Sequence, residues 1–513
     1  MTKKIFYFLS LIFILFIIIY TQILSASHDI INHDDLHVMF KSTNFFKEYF
    51  VNAYHGRFIT NTIATLLGSF LPFFLDIHPI SWLQTFGAGI KAFFIFIICY
   101  LLSSSLFIFD RKNNGYKRLL LCIFTLLFYF LYQIRFKCLY ESMLYMSFYG
   151  FTFPFILYFF FWKTFIKYFC DDNVIVKNYK HIFFFCILSF LLGCSSEFFS
   201  FSSFCTLTLL IFFIFINKFN HKYRNYIYNI YLCFFIGLIF YILNPGFIDT
   251  CEGKDLLFFQ FLSFYKEWFA EVTDGLYRIF FSDFIYIASI MFFLFIILLF
   301  LKIENKKRKM LLLILYIFGV ICFYFSMSFV RMMVEDRYLY INHLDIIAEI
   351  QIALIFAIIL QISFLSDYKY LKNIIIITLL GCLSYYAKEN LIDTYNLIVK
   401  NNKTEYIYKY NNNLLENILN RYKCEYVLLE NIKDERKIYN LGKFIDLRPN
   451  NIDCCHYIKM VYNLDCNFST EQTDITTAEQ LYEKFLSDGG NPLSQKELSK
   501  YDFNFLLKKY RKK

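Results

Sequence analysis

Residues 5–24 read IFYFLSLIFILFIIIYTQIL, about 20 predominantly apolar residues behind a basic MTKK, which is enough for one helix to cross the hydrocarbon core of a bilayer. Runs of similar length recur at roughly 85–109, 119–136, 150–168, 226–243, 281–301, 310–329, 346–365 and 373–387. The stretch 182–217 is too long for a single crossing and is interrupted by GCSSEF, so it is expected to form two helices with a turn near Ser195. This recurrence constrains the fold most. A chain that is 58% hydrophobic and 18% charged has a balance that ordinary soluble domains do not show. The expected class is an all-α polytopic membrane protein with about eleven transmembrane helices.

Basic clusters test that count. Arg111, Lys112, Lys117 and Arg118, then Lys167, Lys177 and Lys180, then Lys218, Lys222 and Arg224, then Lys302 with Lys306–Lys309, and finally Lys369 and Lys372, fall in alternate loops. The positive-inside rule puts those loops, and the N-terminus, in the cytoplasm. The opposite loops are mixed or acidic, notably 249–274. Ser25-Ala26-Ser27 would serve as a signal-peptide cleavage site, but the apolar run is long for a signal, and an uncleaved first helix is expected; residues from about 25 lie outside either way. Counting 58–77, FITNTIATLLGSFLPFFLDI, as a crossing would invert every later loop. It is read as a helix lying in or re-entering the outer face, within a first external loop at 25–84.

Residues 1–390 thus form the transmembrane part, and 391–513, abruptly polar, a small α/β domain that parity places outside the cytoplasm. CEYVLLE (424–430) reads as a strand and GKFIDL as a possible second, while TTAEQLYEKFLSDGG carries a capping box from Thr476 to Glu479 and glycines at its end. The formal charge of +10 is dispersed in short clusters between apolar runs, which argues for bilayer orientation and against nucleic acid. Cysteines within the apolar runs pack as small hydrophobes. Cys424, Cys454, Cys455 and Cys466 lack zinc-ligand spacing, though one disulfide is compatible with an external location.

The candidate chemistry lies in the external loops. INHDDLHVMF (31–40) sets Asp34 and Asp35 between His33 and His37, some ten residues beyond the first helix, and His55 and Arg57 share the same loop. A carboxylate there suits a general base that deprotonates an acceptor hydroxyl, and Arg or His suits neutralising a phosphate. The competing reading is a merely solvated loop. Arg135, Lys137 and Glu141 approach the next external loop, and Glu197 interrupts an apolar hairpin, where an acid so near the bilayer is expensive unless it is paired. Arg331, Glu335, Asp336, Arg337 and His343 cluster at a further external helix end; they form ion pairs among themselves, or Arg331 or Arg337 is a phosphate ligand. His33, Asp34, Asp35 and His37 fit a divalent cation only loosely, so no metal or other cofactor is expected. No P-loop, G-x-S-x-G or dinucleotide fingerprint occurs.

HDDL, YHGRF (54–58), YESMLYMSFYGFTFP (140–154), GCSSEF (193–198) and NPGF (244–247) occur in an order that resembles a poorly characterised bacterial branch of the C-type (GT-C) membrane glycosyltransferases. The resemblance spans most of residues 1–345, and YNLDCNFST near the end is similar to the same branch. His55 stands where Asn is commoner in that branch, and Phe247 replaces the Asn after Pro-Gly. The resemblance implies a multi-pass enzyme of the bacterial cytoplasmic membrane. It would move a sugar, with inversion, from a polyprenyl-phosphate donor to a cell-envelope glycan or lipid acceptor at the outer face. Asp34 or Asp35 would be the base, and Arg57 would sit near the donor phosphate unless it snorkels from the 58–77 helix. A transporter or flippase of lipid-linked envelope precursors is the alternative, and would need ionisable residues near mid-bilayer. A membrane scaffold is the third.

Overall fold

The computed structural model describes residues 2–26, 82–110, 115–140, 152–170, 179–195, 197–216, 224–244, 285–335, 344–401, 426–432 and 467–473, with Ile59, Thr62, Ile63, Leu66, Leu67, Leu71, Leu75, Thr273 and Tyr277. Among them eleven α-helices occupy the apolar runs: α1 Thr2–Ala26, α2 Ala88–Ser105, α3 Gly115–Tyr140, α4 Phe153–Cys170, α5 Tyr179–Gly193, α6 Glu197–Ile216, α7 Arg224–Ile242, α8 Ile285–Phe300, α9 Lys306–Glu335, α10 Leu344–Phe364 and α11 Lys369–Asn401. A π-helical turn, Leu83–Gly87, leads into α2. Four segments are long and apolar enough to cross a membrane by length and composition: Lys4–Ile23, Thr85–Ser105, Arg224–Ile242 and Ile350–Asp367. Large apolar side chains face outward as well as inward, Phe6, Phe183, Phe215 and Phe300 among them. Helices that are apolar all round belong in lipid, and the protein is a membrane protein.

α4 and α10 form the centre. Of the Ile350–Asp367 window 89% is buried, against 17% of Lys4–Ile23, so α1 is peripheral. Aromatic rings knit α4 to α6, α9 and α10: Phe155 meets Phe199 edge-on at 4.7 Å, Trp162 meets Tyr316 at 5.5 Å and Phe159 meets Phe356 at 5.0 Å. Such pairs add to burial through ring quadrupoles. Serine and threonine hydroxyls inside the helices return to carbonyls one turn back, as Ser103 does to Cys99, Thr125 to Leu121 and Thr206 to Ser202. That keeps them satisfied where no water is at hand.

Two crossings depend on glycine. A Cβ on Gly193 of α5 would lie 2.4 Å from the Phe234 carbonyl oxygen, and one on Gly237 of α7 would lie 2.4 Å from that of Phe190. Ser189, one turn before Gly193, donates to the Ile230 carbonyl at 2.7 Å across the same interface. Small residues let the backbones approach until dispersion holds them, the usual driving force in lipid. Gly319 of α9 does the same against Thr206 and Ser202 of α6.

The direction of the helices follows from paired contacts. Arg118 at the start of α3 lies over the Tyr7 ring, and Tyr129 further along meets Thr21 at 2.5 Å and Gln22 at 3.2 Å, so α1 and α3 run parallel. Both begin at the end of the bundle where α2, α4, α8 and α10 finish, a lysine-rich end. The opposite end holds the residues flanking the quoted motifs.

The expected turn near Ser195 is present, between Gly193 and Glu197. α11 runs unbroken to Asn401, past residue 390 where the composition turns polar. β1 (Tyr426–Ile432) overlaps the expected strand and pairs in parallel with β2 (Asn467–Thr473), which begins in the YNLDCNFST stretch and runs beyond it. GKFIDL lies outside the described residues, as do Thr476, Glu479 and the four C-terminal cysteines.

Candidate functional site

At the motif end, Ile59, Cys194 and Tyr241 form one small buried cluster, with Ile63, Phe153, Phe190, Leu191 and Phe201 packed against it. Four of these belong to or stand beside a quoted motif. Ile59 follows YHGRF, Phe153 lies in GFTFP, Cys194 in GCSSEF, and Tyr241 stands just before NPGF. Stretches some 40–180 residues apart in the chain thus share one end of the bundle. Phe94 of α2 meets Phe153 at 5.7 Å, so α2 joins them. Leu67 accepts the Trp82 indole N–H at 2.8 Å, which brings part of the 58–77 segment back to the start of α2.

The hairpin turn is drier than its serines suggest. Ser195 is fully buried and donates to the Leu192 carbonyl at 2.8 Å, and Ser200 donates to the same oxygen at 2.8 Å. Both hydroxyls thus satisfy the Leu192 carbonyl, an orphan acceptor at the end of α5. Glu197 is the first residue of α6, where a carboxylate is favoured by the helix dipole. Asn244, which opens NPGF, is 5% exposed.

Of the expected site residues, His33, Asp34, Asp35, His55, Arg57, Glu141 and Arg337 lie outside the described residues, as do His37, Asp336 and His343. Arg135 and Lys137 stand in the last two turns of α3, and Arg331 and Glu335 in the last two of α9, all toward the motif end. Among the described residues no group of three or more His, Cys, Asp or Glu is arranged to hold a metal ion.

Sequence reasoning missed Lys91. It is 6% exposed and is the fourth residue of α2, at the motif end. A lysine inside an apolar run reads as a tolerated interruption, and nothing local to AGIKAFF shows that it is buried.

The chain was compared with family models, curated proteins and solved structures, and it matches none of them. The site's chemistry therefore rests on its own residues.

The lysine-rich end has its own architecture. Asp110, after α2, accepts from Lys372 of α11 at 2.7 Å, and the side chains are 25% and 5% exposed. Lys117 donates to the carbonyls of Asp110 and Phe107 at 3.3 and 3.5 Å, and Lys163 donates to Ser104. Lys306 donates to the Leu301 carbonyl at 3.0 Å, closing the end of α8. Asn305, left-handed at φ 55°, donates its amide to the Cys170 carbonyl at the end of α4 at 3.1 Å. Asn tolerates that conformation better than most residues. Tyr368 accepts from the Lys302 N–H and donates to the Lys302 carbonyl, tying two turns together. The lysines read as orientation signals therefore also close helix C-termini, where cations are favoured. Burial pulls the Lys372 ammonium below the usual lysine range, with Asp110 opposing; burial does the same at Lys117, again against Asp110.

Proposed function

We propose that the protein is an integral membrane glycosyltransferase that moves a sugar from a polyprenyl-phosphate donor to an envelope glycan or lipid acceptor. The observation that supports this reading is the convergence of Ile59, Phe153, Cys194 and Tyr241, the residues at the edges of the ordered motifs, in one cluster at one end of the bundle. Motifs that act on one substrate must meet in space.

On this reading the eleven helices all cross, the lysine-rich end faces the cytoplasm, and the motif end faces out. Asp34 or Asp35 takes the proton from the acceptor hydroxyl, whose oxygen attacks the anomeric carbon directly; the phosphate leaves with the bonding pair and the configuration inverts. Arg57, assisted by Arg331 or Arg337, holds the departing phosphate through paired N–H groups. His33, His55, Arg135, Lys137, Glu141 and Glu197 complete the substrate-binding surface. Lys91 joins them as a buried ammonium at that end. The fully buried lysines among the described residues are Lys91, Lys309 and Lys372, each the fourth residue of its α-helix.

The test is a strain whose surface polysaccharide is resolved on a gel. With Asp34→Asn or Asp35→Asn, one of the two is expected to abolish the product at normal protein level, as is Lys91→Met to weaken it. Unchanged glycan in the Asp34→Asn/Asp35→Asn double variant would reject the enzyme reading.

A further inference from the structure

We infer that the cavity at the lysine-rich end is a binding site for a phosphate group, carried by a lipid headgroup or by a soluble phosphate. This cavity of about 410 Å³ lies between the ends of α2 and α4 and the starts of α3, α9 and α11. It is remote from the motif end, and the inference does not depend on the transfer reaction. The volume falls within the range of small-ligand sites.

Three features bias its interior toward positive charge, against the C-terminal ends of α2, α4 and α10 that also reach it. First, three long helices begin at its wall: α3 contributes Tyr116 and Lys117, α9 contributes Lys309, and α11 contributes Lys369, Lys372 and Asn373. Helix N-termini direct unshared N–H groups and positive dipole ends at whatever lies before them. Second, the charges are sorted by depth. Lys309 and Lys372 are each 4% exposed, whereas Glu304 and Asp367, the acids of the rim, are exposed to solvent. Asp110 is the remaining carboxylate of the lining, and it is bound to Lys372. Third, the ammoniums crowd one another. Lys117 and Lys309 both oppose the charge on Lys372.

The cations are fixed in place by rings. Lys309 lies 4.5 Å from the centroid of Phe109 and 5.7 Å from that of Phe364, and Lys372 lies 5.2 Å from that of Phe107. Such contacts draw an ammonium to the ring face. Cations placed near helix N-termini raise the local potential where the dipole already does. A phosphate between Lys117, Lys309 and Lys372 would relieve both, accepting charge-assisted hydrogen bonds from lysines and from first-turn N–H groups. Basic pockets between helices on the cytoplasmic side recognise anionic headgroups by the same physics.

The experiment uses the full-length protein purified in a neutral detergent at constant ionic strength. Inorganic phosphate, short-chain phosphatidylglycerol and short-chain phosphatidylcholine are titrated while thermal unfolding and binding are followed. A rise in Tm with phosphatidylglycerol, absent with phosphatidylcholine, is expected. If inorganic phosphate gives the rise too, the ligand is phosphate itself; if it does not, the headgroup must arrive on a lipid. Lys309→Gln and Lys117→Gln should each weaken binding about tenfold or more, while Lys307→Gln, exposed on the same helix start, should leave it unchanged. Lys117 is only half-buried, so its variant remains informative if Lys309→Gln does not fold. No rise with either anion, or an equal rise in wild type and both cavity variants, would overturn the inference.

Discussion

Lys372 and Asp110 show how a single pair couples distant parts of this chain. They are 262 residues apart in sequence and 2.7 Å apart in the fold. Removing one partner of a largely buried pair leaves the other charged and poorly hydrated, at a cost of roughly 3 kcal/mol. Lys372→Met should therefore lower Tm clearly, and adding Asp110→Leu should recover much of the loss, because the stranded carboxylate is then gone. The pH dependence has a definite sign. The folded-state pKa of Lys372 is lowered, so the unfolded chain binds that proton more tightly. Wild-type stability relative to Lys372→Met should thus rise as pH climbs from the folded toward the unfolded value. Unfolding followed in detergent across the alkaline range checks this, and a fall over that range would refute it.

At the scale of elements, the α5–α7 crossing is the sharpest case. It joins the GCSSEF turn to the end of the helix that precedes NPGF, and it admits no side chain at Gly193 or Gly237. Gly237→Ala should cost about 1–3 kcal/mol, since a methyl 2.4 Å from the Phe190 carbonyl oxygen forces the helices apart. Gly381 of α11, whose Cβ would meet open space, is the control, and Ala there should be neutral or slightly stabilising. Thermal unfolding of the two variants makes the comparison. If Gly237→Ala is neutral, the close approach of α5 and α7 is wrong. The same crossing explains why Gly193 matters: sequence reading used it to mark a turn, whereas the fold uses it to seat one helix on another.

The whole molecule is a bundle whose two ends differ in chemistry. One gathers lysines that close helix C-termini around an ion pair and a cavity, and the other gathers the motif-flanking residues around Ile59, Cys194 and Tyr241. If the lysine-rich end is cytoplasmic, a reporter that fluoresces only in the cytoplasm, fused after Asn305, should be bright. An enzyme reporter active only outside, fused after Thr473, should be active. The reverse pattern would invert the assigned orientation and place Asp34 and Asp35 on the wrong side for a lipid-linked donor.

The sequence by itself pointed to an all-α membrane chain whose apolar runs become helices, because spanning length and apolarity are local properties that lipid reads directly. It also located the α5–α6 turn, since GCSSEF breaks the apolar run. It could not say which faces meet, because helices apolar around their whole circumference carry no stripe that points to a neighbour. That was decided by shape: glycines opposite backbone carbonyls, and rings meeting edge to face between α4 and α6. The depth of Lys91, Lys309 and Lys372, the dryness of Ser195 and the choice of Asp110 for Lys372 were likewise settled only in three dimensions. Burial and pairing depend on contacts between residues far apart in the chain, which no local pattern encodes.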